Sequence, residues 1–186
     1  MSKVLVPLAK GFEEIEAVSI IDVLRRADIE VLVGRLDDSV TVLGANGITI
    51  STDIEVSNIN SSELDMVVLP GGVEGTYNLA EDIHIQNILK EMDKDGKNIG
   101  AICAAPFALN KAGVLKQNYT CYPSFEEHIR EDGYQGDKQM VVEDANVMTS
   151  RGPATSICFA LEIVKKLKGE ETYNALKDGL LATYCV

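Results

Sequence analysis

Short runs of apolar residues, each ending in a turn and most followed by an amphipathic stretch, most restrict what this chain can fold into. KVLVPLA (3–9), EVLVGRL (30–36), DMVVLPGG (65–72) and NIGAIC (98–103) are almost continuously apolar. Strands of that kind are buried on both faces, as in a parallel sheet covered by helices. FEEIEAVSIIDVLRRAD (12–28) supplies one such helix, with Ile20, Val23, Leu24 and Ala27 on one side and Ser19, Asp22, Arg25 and Arg26 on the other. GTYNLAEDIHIQNILKEMDKDG (75–96) reads as a helix closed by Gly96, and AAPFALNKAG (104–113) as a short one closed by Gly113. SFEEHIREDG (124–133) reads as another short helix. PATSICFALEIVKKLKG (153–169) is a long helix with Pro153 in its first turn, and EETYNALKDGLL is the last. VTVLGANGITIST (40–52) is predicted as a hairpin turning at Ala45-Asn46-Gly47, and QMVVED and NVMTS flank a turn at Asp144-Ala145-Asn146. The alternation defines an α/β fold with a mostly parallel sheet, one domain over residues 1–186, without repeats or linkers.

A formal net charge of -12 argues against specific nucleic-acid binding and against anionic membranes, because both partners require a basic face. The start of the chain lacks a signal-peptide core, and no apolar run approaches the roughly 18 residues of a membrane span. The expected location is cytoplasmic. Cys103, Cys121, Cys158 and Cys185 form no CxxC pair, so neither a zinc site nor a dithiol motif is expected, and all four are expected to be free thiols. Only His84 and His128 are available as imidazoles, and no metal or cofactor is expected.

In parallel α/β sheets ligands sit at the carboxyl ends of the strands. Ala9–Gly11, Pro70–Gly72, Cys103 and TSRGP (149–153) fall there. Cys103 lies where a strand turns into a helix. Such a thiol meets free N–H groups and the positive end of the helix, which lower its pKa and favour the reactive thiolate. Cysteine is also among the most buried residue types, and a buried filler is the alternative. Helical spacing from Glu16 reaches Ile20, Val23, Leu24 and Ala27, so Glu16 begins the apolar face, whereas Glu14 does not share it. A core-facing carboxyl either bends back to water or stays protonated and donates a hydrogen bond to a neighbouring anion. The Pro-Gly-Gly turn lets backbone N–H groups approach a ligand, and Gly72 with Ala104 is a candidate oxyanion hole beside Cys103. Ala104 directly follows the cysteine, and both histidines lie in polar stretches, so no Cys-His pair is expected. Cys158 and Cys185 read as structural; Cys121 is either structural or a resolving thiol.

LAKGFEEIE, VVLPGG, AICAAP and TSRGPATS, in this order and spacing, resemble the ThiJ/PfpI family, and within it the DJ-one branch of parkinsonism-associated protein deglycases. The resemblance runs from Val4 to near Lys168. It implies a flavodoxin-like, class I glutamine-amidotransferase-like three-layer α/β/α sandwich and a homodimer. It implies that Cys103 matches the family's reactive, easily oxidised cysteine, that Glu16 matches the acid bonded to it, and that Gly72 and Ala104 match the backbone donors. Gly71, Tyr122, Arg151 and Gly152 would lie near the site. The implied activities are those of a glutathione-independent glyoxalase or a deglycase, acting on methylglyoxal, glyoxal or their protein and nucleotide adducts. A redox-responsive stress protein or chaperone, whose cysteine oxidises to sulfinate without turnover, is the alternative. The chain departs from relatives with a histidine before the proline, since Tyr122 precedes Pro123 here, and from the peptidase branch, which has histidine where Ala104 stands. An arginine that some members place in the hairpin is replaced near Asn46.

Overall fold

The computed structural model describes residues 2–185. In chain order the elements are β1 (Lys3–Leu8), α1 (Glu14–Arg26), β2 (Glu30–Arg35), β3 (Thr41–Leu43), β4 (Thr49–Ser51), β5 (Ile54–Glu55), β6 (Met66–Leu69), α2 (Val73–Glu81), α3 (Ile83–Lys94), β7 (Asn98–Ile102), α4 (Pro106–Ala112), β8 (Val141–Asp144), β9 (Val147–Ser150), α5 (Ser156–Lys168) and α6 (Glu170–Gly179). Seven strands form one sheet in the order β5-β2-β1-β6-β7-β9-β8, parallel throughout except for the β8–β9 pair. The β3–β4 hairpin stands apart as its own antiparallel pair.

The pleat divides the apolar runs between two cores. Val4, Val6, Leu8, Val31, Val33, Met66 and Val68 face a layer that contains residues of α1, α5 and α6. Leu5, Val67, Leu69 and Ile99 face a layer built from α2, α3 and α4. Alternate residues of one strand therefore serve opposite layers, which is why Val4–Leu8 and Met66–Leu69 are continuously apolar. From β1 the chain runs outward to β2 and β5, then returns to pair β6 with the other side of β1. That reversal opens a crevice at the carboxyl ends of β1 and β6, the place where such sheets bind ligands.

The structure corrects several expected elements. The helix expected over 75–96 is two helices, because Asp82 takes an extended conformation and its carboxylate accepts the N–H of Ile85, capping α3. The helix expected over 124–133 is a single 3-10 turn, Phe125–His128, entered through Ser124 with φ 74. Pro153 begins a separate 3-10 turn over Pro153–Thr155, and α5 starts at Ser156. The four cysteines are not all free. Cys158 of α5 and Cys185 form a disulfide, their Cα atoms 5.1 Å apart, while Cys103 and Cys121 are thiols. A sequence separation of 27 gives no motif, so only folding brings this pair within bonding distance.

Candidate active site

Three loops at the carboxyl ends of β1, β6 and β7 interlock. The N–H of Glu13 donates to Gly71 O at 3.0 Å, and Gly75 N–H to Gly11 O at 3.3 Å, joining the first two loops. Cys103 N–H donates to Ser150 O at 3.0 Å, and Cys103 O accepts from Tyr122 N–H at 2.9 Å. The backbone of the cysteine is thus fixed from both sides by the end of β9 and the loop around Tyr122. Held in this way, Cys103 adopts φ 63, a conformation that non-glycine residues rarely take. Strained elbows of this kind push a nucleophile out of the sheet edge toward free N–H groups. The N–H groups of Gly72 and Ala104 both reach the Cys103 thiol.

Glu16 is fully buried. Glu13 sets its position by capping α1, its Oε2 accepting Glu16 N–H at 2.8 Å. Glu16 Oε2 accepts Gly71 N–H at 2.8 Å, and Oε1 has no hydrogen-bond partner. The carboxyl lies beside the Cys103 thiol, and the two groups influence each other's protonation. Gly71 lies against both groups: a Cβ there would sit 2.6 Å from Cys103 Cβ and 2.7 Å from Glu16 Oε2.

Burial raises the Glu16 pKa from 4.5 to about 7, against the pull of Gly71 N–H. Burial also pushes the Cys103 thiol up, as does the neighbouring Glu16 charge, while the N–H groups of Gly72 and Ala104 pull it down. The lowered thiol pKa expected from the helix end is therefore not what the buried site gives while Glu16 is ionised. The two groups titrate as a unit. When Glu16 holds the proton, its repulsion is replaced by a donated hydrogen bond, and the thiolate is stabilised by three donors.

The other expected residues divide into two groups. Tyr122, Arg151 and Gly152 line an open pocket of about 190 Å³ together with Pro123, Pro153, Ala154 and Thr155. Gly152 lies against the Tyr122 ring, where a Cβ would be 3.2 Å from Cδ2. Arg151 lies near Cys121 and Tyr134. Cys121 is fully buried, with its sulfur 3.9 Å from Glu126 Oε2, and burial and Glu126 push its thiol up to about 12. His84 and His128 are both exposed.

Glu14 is a residue that sequence periodicity missed. It is only 4% exposed, and its Oε1 accepts the N–H groups of Asn46 at 2.6 Å and Ile48 at 3.3 Å while Oε2 accepts Asn46 Nδ2 at 2.9 Å. Burial raises its pKa, and the bonds from Asn46 and Ile48 outweigh that and hold the carboxyl below its ordinary range. Glu14 thereby fastens the β3–β4 turn to the start of α1, two residues from Glu16. The signal was a second acid beside an Asn-Gly turn, which periodicity cannot register because the partner is 32 residues away.

Fold and site together define an α/β sandwich with a cysteine elbow and a buried partner acid. The chain belongs to the DJ-1/PfpI family, whose residue profile matches residues 2–166. It is 39% identical to Protein dj-1beta of Drosophila melanogaster over 186 residues, covering 99% of this chain and 100% of that one. It is 37% identical over 168 residues to a Caenorhabditis elegans protein named glutathione-independent glyoxalase DJR-1.2, covering 90% and 89% of the two chains. Among solved structures, the crystal structure of Drosophila melanogaster DJ-1beta superposes with a TM-score of 0.93 at 40% identity, covering 97% of this chain and 98% of that one. The oxidized form of Toxoplasma gondii DJ-1 superposes with a TM-score of 0.92 at 34% identity, covering 97% and 98%.

Proposed function

We propose that the protein is a glutathione-independent, cysteine-dependent enzyme of carbonyl and oxidative stress protection. Its substrates are methylglyoxal, glyoxal or their adducts on proteins and nucleotides. The observation that carries this reading is the pairing of Cys103, on its strained elbow, with a fully buried Glu16 whose pKa lies near 7. The thiolate attacks the aldehyde carbon, and the carbonyl oxygen gains a proton to give a hemithioacetal. The N–H groups of Gly72 and Ala104 stabilise the oxyanion as it forms. Glu16 takes the proton from C1 and returns it to C2, converting the hemithioacetal into a thioester of the 2-hydroxy acid. Water then cleaves the thioester and frees the thiol, so methylglyoxal plus water gives lactate. A carboxyl with a pKa near 7 both accepts and donates a proton at neutral pH, which the C1-to-C2 transfer requires.

The test is lactate formation from methylglyoxal without added thiol. Many equivalents per protein are expected from the wild type, and loss of at least about 10³-fold in Cys103→Ser. Equal rates in the two proteins would end the enzymatic reading. Peptide-bond cleavage is disfavoured, because alanine follows the buried Cys103 and both histidines are exposed.

A second reading has its own support in the oxidized state of the Toxoplasma gondii relative. A sulfinate on Cys103 would meet the same two N–H groups and a protonated Glu16, which favours stopping at that oxidation level. In that case graded peroxide produces a dioxidised Cys103 peptide before other cysteines change, with no lactate from methylglyoxal.

A homodimer belongs to the same proposal. Ile15 and Val18 on the outer side of α1 are 58% and 48% exposed, and Ile48 of the neighbouring hairpin is 56% exposed. Glu14 holds these two elements together, which places exposed apolar side chains of both on neighbouring elements, suited to a second copy of the chain across a two-fold axis. Sedimentation at about 10 μM is expected to give a dimer, and Val18→Asp a monomer; a monomeric wild type would contradict it. No helix among the described residues is long and apolar enough to cross a membrane, and the proposed location is the cytoplasm.

A further inference from the structure

A cavity lies far along the chain from the Cys103 loops, beside the antiparallel edge of the sheet. It encloses about 420 Å³ between residues 137–141, β8, β9 and α5, and both cysteines of the Cys158–Cys185 disulfide line it. Met140 and Met148 form part of its apolar wall. Its charged lining is Asp137, Glu143 and Glu162 against Lys138. Lys166 pairs with Glu143 at 2.6 Å, which still leaves the lining net negative.

The disulfide also has a mechanical position. Among the described residues, the backbone hydrogen bonds donated by Leu180, Leu181, Ala182 and Cys185 all return to α6 or to the segment itself, and none reaches the rest of the protein. α6 has one buried side chain, Tyr173. The segment after α6 is therefore joined to α5 by the disulfide and by the burial of Ala182 and Cys185. A sulfur–sulfur bond that faces a small-molecule-sized cavity and fastens a weakly attached segment is placed to act as a latch.

We propose that Cys158–Cys185 is a thiol-exchange site, separate from Cys103, at which a neutral or cationic low-molecular-weight thiol enters the cavity and opens this latch. The thiolate of the entering molecule attacks one sulfur, forming a mixed disulfide and releasing the other cysteine as a thiolate that takes up a proton. A second molecule of the thiol attacks the mixed disulfide. The protein is reduced to two cysteine thiols, and two molecules of the thiol are oxidised to their disulfide. The acidic lining selects against anionic thiols.

The experiment uses the oxidised wild-type protein with cysteamine, 2-mercaptoethanol or 2-mercaptoethanesulfonate at equal thiolate concentration. Opening is followed by acid quenching, alkylation and mapping of the peptides that carry Cys158 and Cys185, each rate divided by that for the denatured protein. Cysteamine is expected to open the native disulfide at least about threefold faster than the sulfonate, with the gap closing in 1 M salt and narrowing in Glu162→Gln. Hydrogen exchange over residues 170–185 is expected to rise on opening, with the sheet unchanged. Opening only in denaturant, equal rates for the three thiols, or unchanged exchange over 170–185 would each overturn the proposal. Because these readouts do not involve methylglyoxal or Cys103, they stand or fall apart from the proposed activity.

Discussion

Replacing Glu16 by glutamine is expected to make the protein more stable at pH 8 and to remove most of its activity. Below about pH 4.5 the carboxyl is protonated in both folded and unfolded chains, and the substitution changes no charge. Between 4.5 and 7 the unfolded chain ionises while the buried group holds its proton, so folding of the wild type is increasingly disfavoured. Above 7 that cost is complete. A pKa moved from 4.5 to about 7 corresponds to about 3 kcal/mol, and full burial leaves little solvent to screen it. Glutamine keeps the shape, still accepts Gly71 N–H and never ionises, so it avoids this cost. It cannot carry a proton between C1 and C2, and kcat/KM for methylglyoxal is expected to fall about 10²- to 10⁴-fold. Urea unfolding of both proteins from pH 4 to 8 checks the first part. Parallel stability profiles would mean that Glu16 is not strained in the wild type. A stabilised but inactive variant is the pattern expected when an active site holds a charge the core disfavours.

The second large effect is expected at Gly72. Its φ of 89 is disfavoured for any side chain, and an added Cβ would lie 2.3 Å from Gly11 O and 2.7 Å from Glu13 N. Both obstacles are backbone, so neither can rotate away. The left-handed conformation costs about 1–2 kcal/mol and the forced shift about 1–3 more. Gly72→Ala is therefore expected to lose about 2–5 kcal/mol, a large share of a typical domain's stability. Gly113 is the control, with φ 76 and nothing within 4 Å of the added atom, so Gly113→Ala should lose only the conformational part. Equal chemical denaturation midpoints for the two variants would show that the loops after β1 and β6 are not locked together. The same shift would move the Gly72 N–H away from the thiol.

The sheet was legible because its strands are apolar on both faces, and only burial under two helical layers gives Val4 to Leu8 and Met66 to Leu69 that composition. Glu16 was legible for a related reason, since a charge at the head of an apolar stripe violates the pattern of its own helix. Asp82 was not, because an acid in the middle of an amphipathic run reads as a solvated face until its carboxylate is seen capping α3. The turn Phe125–His128 failed as a helix because its few residues lack the length that makes helical propensity decisive.

The sequence by itself determined the α/β class and marked Cys103, Glu16, Gly72 and Ala104 as candidates for one site, since each follows from local patterning or from motifs in fixed order. Only the tertiary structure decided the protonation balance between Glu16 and Cys103, the role of Glu14, and the bond between Cys158 and Cys185. Those three depend on distances between residues far apart in the chain and on how much water remains around them, and neither quantity is encoded within a local window of sequence.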